Sequence, residues 1–149
     1  MPNNIFVVLR IIVATLFIIT GAEKLISPYQ NFLAVVQSYD LLNKPLEELV
    51  ARTFPWLEFF LGVFLFLGLW LNIALRLLLV LIASFIGTVG QAMIRHLPIH
   101  ECGCFGDLIS FPLWVTLVLD CVLWIAVWTF LRRIQQTSQF SLDNYYYRG

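Results

Sequence analysis

The sequence predicts an all-α fold: a four-helix transmembrane bundle with a short interfacial amphipathic helix between helices 1 and 2. Two observations carry this. The 149 residues are 60% hydrophobic and only 12% charged, against about 25% charged in a soluble domain. Too few charges are present to cover a water-facing surface. The apolar residues also gather in four runs of bilayer-crossing length, separated by short polar or proline-bearing breaks. The formal net charge is zero, which gives no basis for nucleic acid as a partner. The first partner implied is the lipid bilayer. The expected organisation is one membrane domain over residues 1–134 and a polar tail over 135–149, the latter carrying Tyr145-Tyr146-Tyr147.

The first span runs from Ile5 to Ile26. Its length gives a rise of about 33 Å, enough to cross the hydrocarbon core. It has neither a basic leading region nor an Ala-x-Ala cleavage site, so it reads as a retained helix rather than a signal peptide. Arg10 interrupts it, and Glu23-Lys24 end it after Gly21. For Arg10 and for Lys24 two readings stand: snorkelling to the nearer interface, or a functional ion pair.

Pro28 stops that helix. Residues 29–44 are too polar to span, but Tyr29, Phe32, Leu33, Val36 and Tyr39 recur at helical spacing, which predicts a helix lying in the interface. Pro45 suits the first position of a new helix. The second span, Phe54 to Leu71, continues from that start with an expected kink at Pro55. Glu58 lies inside it. An ionisable residue there is a functional-site candidate by default; the alternative is that Glu58 reaches headgroups or Arg52. Gly62 and Gly68 are expected to let helices approach closely.

A tight turn at Asn72 leads into the third span, Ile73 to Ile94. Ser84, Gly87, Thr88, Gly90 and Gln91 form a small, polar stripe expected to pack inside the bundle. The fourth span, Phe111 to Leu131, ends at Arg132-Arg133. Asp120 and Cys121 fall near its mid-depth. Asp120 should face the interior, where it pairs with Arg10, Gln91 or Arg76, holds a proton, or meets water. Cys121 is expected to be a small packed apolar residue.

The most polar interruption of the second half is His100-Glu101-Cys102-Gly103-Cys104-Phe105-Gly106-Asp107. In an extended segment the side chains of Cys102 and Cys104 share a face, with Cα atoms about 6.5 Å apart, the long end of what a disulfide tolerates. Gly103 lets the backbone bend inward. A disulfide closing so small a ring is strained, and strained exposed disulfides exchange readily. Three readings follow: a redox-active dithiol, two free thiols in a tight turn, or a metal clip of His96, His100, Cys102 and Cys104. Structural zinc sites usually draw ligand pairs from separated segments, which weighs against the clip, and no metal is expected. His96 and His100, if charged, would favour a thiolate, and Glu101 and Asp107 would oppose it, so the two effects stand against each other.

Four spans put both termini and the 71–73 turn on one side, and the 27–53 connection with the cysteine segment on the other. Arg10, Arg76, Arg132 and Arg133 give the first side a weak positive-inside bias, so both termini are expected in the cytoplasm. The cysteine pair then faces an oxidising compartment.

Three motifs carry a resemblance. Arg10, Phe17, Gly21, Lys24 and Pro28 are spaced as in the first helix of DoxX-type proteins. Pro55-Trp56-Leu57-Glu58-Phe59-Phe60-Leu61-Gly62, followed by Gly68, resembles their second-helix pattern. Cys102-Gly103-Cys104-Phe105-Gly106 is similar to the cysteine motif of the methylamine-utilisation MauE branch. Together they cover most of residues 5–131 in order. The resemblance implies a bacterial inner-membrane protein linked to periplasmic thiol–disulfide chemistry, serving the maturation of another protein. Its implied catalytic pair is Cys102 and Cys104, with Glu58, Lys24 and Arg10 as matched polar positions. His100 and Asp120 join as supporting polar residues by position alone. The expected partners are a periplasmic thioredoxin-like or client protein, with a membrane quinone as candidate second carrier. The competing function is a non-catalytic small subunit or assembly factor of a larger membrane complex.

Overall fold

The computed structural model describes residues 2–97 and 112–134. Five helices follow in order: α1 (Pro2–Ile26), α2 (Tyr29–Ser38), α3 (Lys44–Leu67), α4 (Leu71–Ile94) and α5 (Leu113–Arg132). There is no strand among the described residues. α1, α3, α4 and α5 are each long and apolar enough to cross a membrane, so the chain is a multi-pass membrane protein. The all-α, four-span architecture with a short extra helix between the first two spans is the one the sequence predicts.

Local chemistry sets the element boundaries. Pro28 is extended (φ −54°, ψ 131°) and separates α1 from α2. Asn43 is extended at the start of α3, and Pro45 occupies its first turn, where a missing N–H is harmless. α3 then runs without interruption through Pro55, which is buried. Gly68 ends it at φ 70°, in the left-handed region, and its N–H donates to the Phe64 carbonyl. Gly68 is thus a helix stop rather than a helix-contact residue, for only glycine enters that region without steric cost. Trp70 is left-handed too, at φ 46°. α4 starts at Leu71, so Asn72 lies in its first turn, not in the connection.

α2 is short and two-faced. Tyr29, Phe32, Leu33, Val35 and Val36 are half-buried, while Gln30, Asn31, Gln37 and Ser38 are exposed. No residue of it is fully buried, as suits a helix lying at an interface.

α1 packs chiefly on α3, and α4 on α5. Two glycines make the first contact close. A Cβ at Gly21 would stand 2.7 Å from the Phe59 nitrogen, and one at Gly62 would stand 2.9 Å from the Ile18 nitrogen. Both neighbours are backbone, so neither can move aside cheaply. The apolar core fills the remaining space with Ala14, Phe17, Leu65, Leu75, Leu78, Ile82, Val127 and Phe130. The small stripe on α4 does not have the expected role. Among the described residues nothing lies within 4 Å of a Cβ built on Gly87 or Gly90, and Ser84 and Gly87 are exposed. Their smallness admits none of the described helices. Cys121 is also exposed rather than packed, on the outer face of α5 with Val118, Val122 and Ile125.

Candidate functional site

The bundle has two ends: one carries α2, the other the α3–α4 turn. The buried polar chemistry collects near the α2 end. Lys24 lies two residues before the end of α1, and Glu58 faces it from α3. Lys24 Nζ donates to Glu58 Oε2 at 2.7 Å, and the two side chains are only 2% and 3% exposed. Antiparallel packing of α1 on α3 brings them level, and Gly21, one turn before Lys24, lets the backbones close on each other beside the pair. Lys24 therefore does not snorkel, and Glu58 reaches neither headgroups nor Arg52, whose guanidinium instead lies 5.3 Å from the Tyr29 ring centre. Aromatic faces complete the lysine's surroundings: Phe32 of α2 at 5.3 Å and Phe85 of α4 at 5.6 Å. Such contacts favour a cation where water is scarce.

Asp120 enters the same region from α5, about 10 Å into that helix from its start. It is 4% exposed and within Coulombic reach of Lys24 and Glu58. Of the partners the sequence put forward, neither Arg10 nor Arg76 is the near charge. Its Oδ2 is buried without a hydrogen-bond partner among the described residues. Tyr39, just past α2, is buried at 7% exposure. Its phenol is pushed up to about 12, first by burial and then by the charge that Asp120 carries when ionised, so it remains an O–H donor at any physiological pH.

Tyr39 also borders a cavity of about 130 Å³ between α2, α3 and α4. Phe32, Val36, Phe54, Phe85 and Thr88 form much of its wall, with Phe54 and Phe85 in ring contact at 5.9 Å. The rings that face Lys24 thus also line this cavity. Arg95, the residue after α4, ties the region's rim to the α2–α3 connection, donating to the Asp40 carbonyl at 3.1 Å and pairing with its carboxylate at 3.4 Å.

Arg10 is not part of this cluster. It lies about 21 Å back along α1, toward the other end. It is 1% exposed and therefore interior, not snorkelling. Cys102, Cys104 and His100 lie outside the described residues, as does the tail. Among the described residues no three His, Cys, Asp or Glu side chains gather as a metal-holding group.

The sequence pointed to Lys24, Glu58 and Asp120 singly, because each is an ionisable residue in an apolar run. It gave no sign that they converge. Tyr39 was legible only as part of an amphipathic pattern. Gly21 had one usable signal, its position one turn before a charged residue at the end of a span.

A family model described as methylamine utilisation protein MauE matches residues 2–132. No curated protein and no solved structure matches the chain.

Proposed function

The chain belongs to the methylamine utilisation protein MauE family, and from that premise we propose that it is a membrane thiol–disulfide exchange protein whose working pair is Cys102 and Cys104. The observation that carries the reading is the Cys102-Gly103-Cys104 spacing inside the matched region 2–132, between two membrane-crossing helices. In its oxidised form the pair accepts two electrons and two protons from a partner dithiol. The partner gains a disulfide, and Cys102 and Cys104 become thiols. The client is a periplasmic protein of a methylamine-utilisation system, or a thioredoxin-like carrier serving it. The proposal extends to kinship with DoxX-type proteins, to a bacterial inner membrane with both termini cytoplasmic, and to residues 135–149 as a tail outside the membrane domain 1–134.

A membrane quinone is the second carrier in this reading, taking two electrons and two protons to become a quinol as Cys102 and Cys104 are reoxidised. The cavity beside Tyr39 supports it. Its volume of about 130 Å³ is near the ~150 Å³ of an engineered cavity that admits benzene. Its walls are largely aromatic and aliphatic, with the Tyr39 phenol as a donor at one edge. Lys24, Glu58, Arg10, Asp120 and His100 are supporting polar groups in this scheme.

The test is alkylation of the native membrane protein before and after mild reduction, with mass mapping of the 102–104 peptide. A Cys104→Ser variant then serves to trap a client. A reversible Cys102–Cys104 disulfide and a mixed disulfide on Cys102 are expected. Both thiols free in every isolated state, or full activity in a C102S/C104S variant, would reject exchange and leave a non-catalytic subunit of a larger complex. Cys121 takes no part, and Cys121→Ser should behave as wild type in both assays.

A further inference from the structure

Among the described residues, the buried cluster at the α2 end holds two carboxyl groups and one amine, and the ion pair uses only one of each. Lys24 makes its short contact with Glu58. Asp120 is left with a buried oxygen that no described residue donates to, at 4% exposure. The charged and titratable groups around it come from three directions. α1 brings Lys24, with Glu23 acting on Glu58; α3 brings Glu58; the residue after α2 is Tyr39. On α4, Arg76 lies toward the opposite end, and Arg95, just past that helix, is engaged with Asp40.

Ionised, all three members would give the cluster a net charge of minus one, with a buried carboxylate oxygen to which no described residue donates. Buried charges in such a position neutralise themselves by binding or losing a proton. With a proton on Asp120 the cluster is neutral, and the Asp120 carboxyl becomes a donor instead of an unsatisfied acceptor.

We infer that Asp120 is a proton-binding site inside the membrane and that Lys24 decides which of the two carboxyls, Asp120 or Glu58, holds the proton. With Lys24 closed on Glu58 the proton resides on Asp120. If Glu58 is removed as a counter-ion, Lys24 turns to Asp120 and the proton leaves. If Lys24 is removed, both carboxyls are protonated. None of this depends on the thiol reading, which concerns other residues and is tested by other means.

Infrared spectroscopy of the full chain in lipid nanodiscs at neutral pH reads the protonated carboxyl directly, through a carbonyl stretch that a carboxylate lacks. The band is expected in the wild type and lost in Asp120→Asn, whose amide has nearly the shape of the protonated acid. It is lost as well in Glu58→Gln, and it rises to two carboxyls' intensity in Lys24→Met. A band unchanged by Asp120→Asn overturns the site; an intensity unchanged by Lys24→Met overturns the role of the lysine. Labelling the wild type with a hydrophobic carbodiimide, which adds to protonated carboxyls, needs no variant. An adduct on the Asp120 peptide supports the inference, and one on the Glu58 peptide alone overturns it.

Discussion

Gly21 lays its Cα against the backbone of Phe59, where a Cβ would stand 2.7 Å from the amide nitrogen. Gly21 is one turn before Lys24, and Phe59 directly follows Glu58. The close approach of α1 and α3 therefore occurs beside the buried ion pair and sets the span over which lysine reaches glutamate. The same hydrogen that glycine carries in place of a side chain fixes both the helix spacing and the 2.7 Å contact.

Gly21→Ala should push α1 and α3 apart. Overpacking of this kind costs about 1–3 kcal/mol, and the loss should appear as a lowered Tm in detergent. Gly87→Ala is the control. No described residue lies within 4 Å of a Cβ at that position, so the exchange should be neutral or stabilise by up to ~1 kcal/mol through helix propensity. Equal effects at the two sites would show that the glycine contact is not what holds the helices.

The Lys24–Glu58 pair should behave as a coupled unit. Removing one partner of a buried ion pair costs about 3–5 kcal/mol when the other charge is stranded. The double variant K24M/E58Q should cost clearly less than the two single changes added together, in a double-mutant cycle read by denaturation. Strict additivity would mean that the pair contributes nothing as a pair.

Tyr39 should titrate late. Its phenol is pushed up to about 12, chiefly by burial, against about 10 in an unfolded chain. The folded state thus favours the neutral phenol. That contribution is complete below pH 10 and is lost as the pH rises through 10 to 12. Ultraviolet titration of wild type minus Tyr39→Phe should isolate one phenol near 12. Asp120→Asn should lower it only modestly, since the aspartate is the lesser cause.

Reporters inserted at Asn72 and at Leu97 should report opposite sides of the membrane, because α4 lies between them. With the orientation proposed from Arg132-Arg133, Asn72 is cytoplasmic. Reporters on the same side would remove α4 as a span.

The spans, the interfacial helix and the proline-bearing breaks were legible in the sequence because each depends on local composition: a continuous apolar run, a two-faced short helix, a missing N–H. Helix contacts were legible only in part. Gly62 makes the close contact expected of it, but Gly87 and Gly90 look like packing glycines by spacing as well, and the second contact falls instead to Gly21. Which face of an apolar helix meets a neighbour depends on its rotation, and a helix that is hydrophobic nearly all round gives no periodic sign of that. Gly68 and Trp70 show the same limit at the turn, where the left-handed residues, not Asn72, reverse the chain. For the site, burial of Asp120 near mid-span followed from its cost in hydrocarbon, whereas Arg10, Lys24 and Glu58 had an interfacial reading as well, and convergence on Lys24 required the register of α1 against α3.

The distance in sequence between Lys24 and Glu58, 34 residues, has a meaning during biosynthesis. At ~5–20 residues per second, roughly 2–7 s separate their emergence from the ribosome. Over that interval α1 has its ammonium but not its counter-ion. A charge of this kind at the end of a nascent span disfavours release into lipid, so α1 should remain beside the insertion machinery until α3 arrives, and the two should leave as a hairpin. α5, which packs chiefly on α4, would join later. A ribosome stalled before codon 58 should therefore hold α1 in crosslinking range of the translocon, and Lys24→Met should release it early.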